Sequence, residues 1–187
     1  MARPTDDDFP EGLADSKQLT ARARTGLIEP VCGWLVDHAV AHASPAEIDE
    51  HGIIGALRMA GLRALQQVAD RGHAPGVIIL DGVADWLTAL EGTHAPKDSP
   101  EPAEVPSPPP VRMEVKADAR CAVVAAASVL AKVERDRLMA DLDDPGYGWA
   151  SNKGYASPAH VRGLTALGTS DQHRRSWHLP GLDRRHR

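Results

Sequence analysis

The sequence predicts an α/β domain, and two stretches carry that prediction. Residues 111–138 (VRMEVKADARCAVVAAASVLAKVERDRL) read as a short strand, an acidic residue and a long helix. Arg112 to Val115 alternates polar and apolar side chains, the period of a half-buried strand. From Cys121 to Leu138 there is no Gly or Pro, and Val123, Ala126, Leu130 and Val133 recur at helical spacing. The second stretch, Val77 to Leu80, is a short apolar run rich in β-branched residues that ends on Asp81. It has the form of a strand buried on both faces.

The other elements follow in chain order. Asp15-Ser16-Lys17 forms a loop, and Thr20 is placed to cap a helix from Ala21 to about Val31. Val36 to Ala43 alternates well enough for a strand, with His38 and His42 on one face. Ser44-x-x-Glu47 has the form of a capping box. A helix follows from about Ile54 to Ala69, burying Leu57, Ala60, Ala64, Leu65 and Val68. Seven prolines between Ala95 and Pro110 exclude helix and central strand, which leaves an extended surface loop. Ala125 to Ser128 gives the long helix a thin waist suited to close packing on a sheet. Asp143 to Gly148 is a turn cluster, and Pro158 to Leu167 reads as a last helix.

The chain has 187 residues, suiting one domain over 1–187, with a flexible start at 1–11. Net charge is −5, yet residues 151–187 hold seven Lys and Arg against two Asp, a balance of +5, so residues 1–150 carry −10. A basic C-terminal segment can meet phosphates while an acidic remainder holds metal; a merely solvated tail explains the charge equally well. Cys32 and Cys121 form no Cys-x-x-Cys pair, which points to free thiols in a reducing compartment. No apolar run reaches the ~18 residues that span a bilayer. The expected location is the cytoplasm, with no membrane partner and a monomeric state.

Two acids draw attention. Asp118 stands where a helix cap would stand, and capping alone would account for it. Asp81 ends a buried strand, a costly place for a carboxylate unless it is solvated, paired or bound to metal.

The wording VKADARCAVVAAASVLAKVERDRLM resembles the signature of the type 2 ribonucleases H (ribonuclease HII). So do Asp15-Ser16-Lys17, Leu80-Asp81-Gly82, Pro145-Gly146-Tyr147-Gly148-Trp149 with Asn152-Lys153-Gly154-Tyr155, and Gln172-His173-Arg174-Arg175-Ser176-Trp177. These motifs stand in the family's order from about Gly12 to Pro180. The resemblance implies a ribonuclease H-like mixed sheet flanked by helices, with a C-terminal helical segment. It implies an endonuclease that cuts the RNA strand of RNA–DNA hybrids, single embedded ribonucleotides included, with Mn²⁺ or Mg²⁺. Asp81 and Asp118 match two of the family's four metal-binding acids. Tyr155 matches a residue that packs at the ribonucleotide–deoxyribonucleotide junction, and Lys17, Lys153, Arg174 and Arg175 are further candidates for substrate contact. His173 joins the two arginines in a basic cluster for phosphate. The family opens with a strand carrying Asp-Glu, then Gly-Arg-Gly, and this chain has no such segment. The resemblance therefore implies an incomplete copy with weak or no cleavage alone, or a remnant that binds nucleic acid without cutting it.

Overall fold

A computed structural model describes residues 1–3, 8–88 and 109–182. The expected loop at 95–110 lies outside them except for Pro109 and Pro110. The elements are α1 (Ala21–Gly26), α2 (Ile28–Trp34), α3 (Pro45–Asp70), β1 (Ile78–Asp81), β2 (Val111–Glu114), α4 (Ala122–Asp141), α5 (Trp149–Asn152) and α6 (Pro158–Leu167). Short 3-10 turns lie at Ser16–Gln18 and Ala117–Ala119. Among the described residues the sheet is two parallel strands, with Ile78 opposite Val111 and Asp81 opposite Glu114, where a mixed sheet was expected.

α4 is the axis of the molecule. On its first half, Ala126, Val129 and Leu130 meet Leu27, Val31 and Leu35 of the α1–α2 hairpin. The small residues at 125–128 thus admit α2 on one side. On the other side Ala127 faces a cavity of about 840 Å³ shared with β1, Trp34, Leu65 and Trp86. β1 is not buried on both faces as its composition suggested: Ile78 and Ile79 are half-buried, Leu80 is buried and Asp81 at its end is exposed. The second half of α4 supplies Met139 to a separate cluster with Tyr147, Trp149 and Leu164.

Three expected elements differ, each for a local reason. The helix from Ala21 breaks at Leu27, because Pro30 has no N–H for the Gly26 carbonyl and its ring would crowd that oxygen. Residues 36–43 form no strand. Their polar groups are met instead by Arg71, which binds the Asp37 carboxylate at 3.0 Å and the His38 carbonyl at 2.7 Å. The Met1 ammonium donates to the Asp37 carbonyl at 2.6 Å, which anchors a chain start expected to be flexible. α3 begins at Pro45, earlier than expected, and bends at Gly52, whose φ of 70° suits glycine.

The capping box at the start of α3 is formed on both sides: Glu47 N–H donates to Ser44 Oγ, and Ser44 N–H to the Glu47 carboxylate. Arg63 and then the Ser44 N–H hold the Glu47 carboxyl at about 2, down from 4.5. Between those values the unfolded chain binds a proton that the folded one refuses. The stabilisation is therefore full above pH 4.5 and fades as pH falls toward 2. Glu47→Gln is expected to flatten the acid limb of a Tm-against-pH curve below 4.5. An unchanged limb would show that solvent screens the Arg63 pair.

Candidate active site

Asp81 leaves the end of β1 beside β2, and its Oδ1 accepts the Ala117 N–H at 2.9 Å. Lys116, in the left-handed region at φ 56°, turns the chain out of β2 into the 3-10 turn that carries Asp118. Asp118 is buried and directly follows the residue held by Asp81. Asp81 is thereby fastened to the backbone one residue before Asp118. Asp118 is not the cap of α4; Cys121 holds that position and makes no side-chain capping bond. Its Oδ2 faces the Lys17 ammonium at 3.7 Å.

Lys17 reaches that position because its turn is fastened to α4. Asp15 caps the turn through the Lys17 N–H at 2.9 Å, and Ser16 N–H donates to Ser128 Oγ at 3.2 Å. Arg24 adds bonds to the Ser16 and Leu19 carbonyls. A third acid, Glu114, lies opposite Asp81 in the register but is ion-paired with Arg120.

The donors offered by Asp81 and Asp118 are hard oxygens, which suit Mg²⁺ or Mn²⁺. Among the described residues no group of three or more His, Cys, Asp or Glu is arranged to hold a metal ion. These two acids fit a divalent cation in kind and in number would supply only part of its shell.

The other candidates fall into a second group at the far half of α4. Tyr155 is 68% exposed, with the Lys132 ammonium 5.5 Å from its ring centre. Arg174 stacks over the Trp177 ring at 4.0 Å. Arg135 lies near both, and burial, then the Arg174 charge, lower its guanidinium pKa from its usual value. Arg135 and Arg174 thus crowd two positive charges near the exposed Tyr155 ring, while Lys132 is also bonded to Asp136 at 2.5 Å, so the patch is cationic with one of its charges already paired. The spacing from Ala122 to Lys132 sets this patch ~15 Å along α4 from the acids.

Lys153 and Arg175 do not join it. The Lys153 ammonium closes its own short helix on the Ala150 carbonyl at 2.7 Å, and Arg175 bonds Asp171 at 2.7 Å. The backbone of Arg175 and Ser176 is held by Asp49 of α3, whose carboxyl is lowered by the Ser176 hydroxyl and these amides. His173 is buried, and burial, then the neighbouring His160, push its pKa down, so it is no phosphate contact. Sequence reasoning missed Lys132 and Arg135. Their signal was the three-residue spacing that puts both on one face of a helix that was itself correctly read.

A protein-family model described as Ribonuclease HII matches residues 6–179. The chain belongs to the ribonuclease HII family. A relative named Ribonuclease HII from Streptomyces avermitilis is 43% identical over 170 residues, which cover 90% of this chain and 64% of the relative. One from Paracoccus denitrificans is 42% identical over 174 residues, 90% of this chain and 71% of the relative. The chain spans 64% of the length of the Streptomyces avermitilis and Streptomyces coelicolor ribonucleases HII that it matches. The crystal structure of the ribonuclease H2 from Pyrococcus horikoshii OT3 is similar at a TM-score of 0.63 and 25% identity, over 89% of this chain and 77% of that one. The α/β architecture with its small parallel sheet is thus a ribonuclease H-like fold. Among the described residues no helix is long and apolar enough to cross a membrane.

Proposed function

We propose that this chain carries part of a two-metal nuclease centre acting on the RNA strand of RNA–DNA hybrids, single embedded ribonucleotides included. The observation that carries the reading is the pairing of Asp81 with the loop of Asp118 through the Ala117 N–H, in a chain of this family. Phosphodiester hydrolysis needs an in-line water, neutralised phosphoryl oxygens and a stabilised leaving oxygen. Divalent ions such as Mn²⁺ or Mg²⁺ supply all three when bound. Asp81 and Asp118 would hold them, with the Lys17 ammonium 3.7 Å from Asp118 Oδ2. Lys132, Arg135 and Arg174 draw in the strand backbone, and the exposed Tyr155 ring offers a face to a sugar or base. Attack on the 5′ side of a ribonucleotide leaves a 3′-hydroxyl.

Two acids make a thin site for ions that dehydrate reluctantly, so the 187-residue chain by itself cleaves weakly or only binds. The substrate is an RNA–DNA hybrid or a DNA duplex with embedded ribonucleotides, met by a monomer.

The test is a duplex with one ribonucleotide, labelled at its 5′ end and incubated with the purified chain in Mn²⁺ or Mg²⁺. Slow nicking on the 5′ side of the ribonucleotide supports the reading. Binding in EDTA without any nicking, even at enzyme excess, would favour a non-catalytic module, and failure to bind the hybrid at all would sink both. Arg174→Ala is expected to weaken hybrid binding and to lower the slope of log affinity against log salt by about 1. An unchanged slope removes Arg174 from the phosphate contacts.

A further inference from the structure

Behind the cationic patch lies a buried pair of histidines from two different segments. His160 of α6 and His173 of the 170–177 loop meet through their Nε2 atoms at 3.1 Å, each 6% exposed. His160 Nδ1 lies 2.9 Å from the Tyr155 carbonyl. His173 Nδ1 accepts from the Ser170 N–H at 3.0 Å, with the Ser170 hydroxyl at 2.9 Å.

These partners fix where the protons are. A carbonyl only accepts, so His160 carries its proton on Nδ1 and leaves Nε2 as an acceptor. A backbone N–H only donates, so His173 Nδ1 is bare and its proton sits on Nε2. The chain of bonds runs in one direction: Ser170 N–H to His173, His173 Nε2–H to His160, His160 Nδ1–H to the Tyr155 carbonyl. Every ring nitrogen is used, and both rings are neutral. A further proton sets two donors facing each other at one of these bonds, even where the Ser170 hydroxyl oxygen turns to accept from His173 Nδ1. On His160 Nε2 it would oppose the His173 Nε2–H; on His173 Nδ1 it would oppose the Ser170 N–H.

We propose that His160 and His173 are positioning residues that tie the Tyr155 loop to the Arg174 segment, closed when both rings are neutral and released by one proton. This rests on the hybrid-binding reading above, because Tyr155 and Arg174 are the surfaces it aligns. The surroundings favour the neutral state. The Tyr147 ring packs edge-on at 4.7 Å from His173 and 6.0 Å from His160, with its hydroxyl donating to the Gly168 carbonyl. Trp149 lies 5.9 Å from His173. The charged group that acts on the pair is Arg175, which opposes a second positive charge although Asp171 partly offsets it. The tie is short: four residues lie between Tyr155 and His160, and Arg174 is bonded in sequence to His173.

The test uses the ¹⁵N-labelled full chain. Imidazole nitrogen shifts followed from pH 8 to 4.5 are expected to show opposite neutral tautomers in the two rings. The His173 ring is expected to titrate below an ordinary histidine, with the Tyr155 and Arg174 amides moving through the same midpoint. Binding of a fluorescent RNA–DNA hybrid in EDTA should weaken roughly tenfold through the same midpoint, equivalent to the loss of about one such hydrogen bond. His160→Leu should bind about tenfold more weakly at pH 7.5 and lose the pH dependence. His160→Asn, whose amide still reaches the Tyr155 carbonyl, should recover most of the affinity but remain insensitive to pH. A purely structural pair would lower Tm in both variants without this split.

The inference is overturned if the rings titrate separately near 6.5 with no movement of Tyr155 or Arg174, or if His160→Leu keeps the wild-type pH profile of binding. Shared titration in a wild-type chain that ignores the hybrid would support the tie and sink the nucleic-acid reading instead.

Discussion

Asp81→Asn is expected to abolish metal-dependent cleavage while leaving hybrid binding nearly unchanged. Asn keeps an oxygen for the Ala117 N–H, so the turn that presents Asp118 retains its support. What it loses is one negative charge and the affinity of that oxygen for a hard cation. An ion that contributes several kcal/mol of charge stabilisation in the transition state is then bound poorly or out of place. The expected loss in rate is roughly 10³-fold or more. Titration of Mn²⁺ into the chain gives an independent readout, with affinity at least ~10-fold lower in the variant. Unchanged Mn²⁺ affinity and unchanged cleavage would remove Asp81 from the centre, and a lower Tm would show that the substitution disturbed the turn.

Leu164→Ala should give the largest loss of stability. Leu164 is 1% exposed and closes the cluster of Met139, Tyr147 and Trp149. Emptying such a position costs about 2–5 kcal/mol, from lost burial and from the cavity left behind. That is a sizeable share of the ~5–15 kcal/mol that holds a typical domain. Repacking is limited on this side of α6. A methyl placed on Gly163 would already lie 2.8 Å from the Gly146 carbonyl, so α6 is pressed against the 146–147 backbone. Urea unfolding should show the loss as a lower midpoint. A loss under ~1 kcal/mol would mean that α6 moves in to fill the space. The same cluster packs against the histidine pair, so hybrid binding should weaken in this variant too.

Much of this molecule was legible in its residues. The β2–turn–α4 unit, β1, the capping box at Ser44 and α6 follow from periodicity and capping chemistry, which act within one turn or one strand. Family motifs carried Asp81 and Asp118 to the same site. Residues 36–43 misled because alternation specifies a strand only when another edge is present to pair with it. Here the Arg71 side chain and the Met1 ammonium meet the polar groups of Asp37 and His38. Asp118 misled in the other direction: a cap and a ligand look the same in sequence. The structure removes the cap, since Cys121 holds that position, and places the Lys17 ammonium beside Asp118 instead.

The sequence by itself determined the family and the β1, β2, α4 and α6 elements, and singled out Asp81 and Asp118 as candidates. The tertiary structure alone decided that Lys153 closes its own short helix, that Arg175 pairs with Asp171, that Lys132 and Arg135 stand near Tyr155, and that His173 is buried. The division has one cause. Helical and strand periods and caps are set by neighbours within about four residues, whereas a side chain's charge and partners depend on segments that only folding brings beside it.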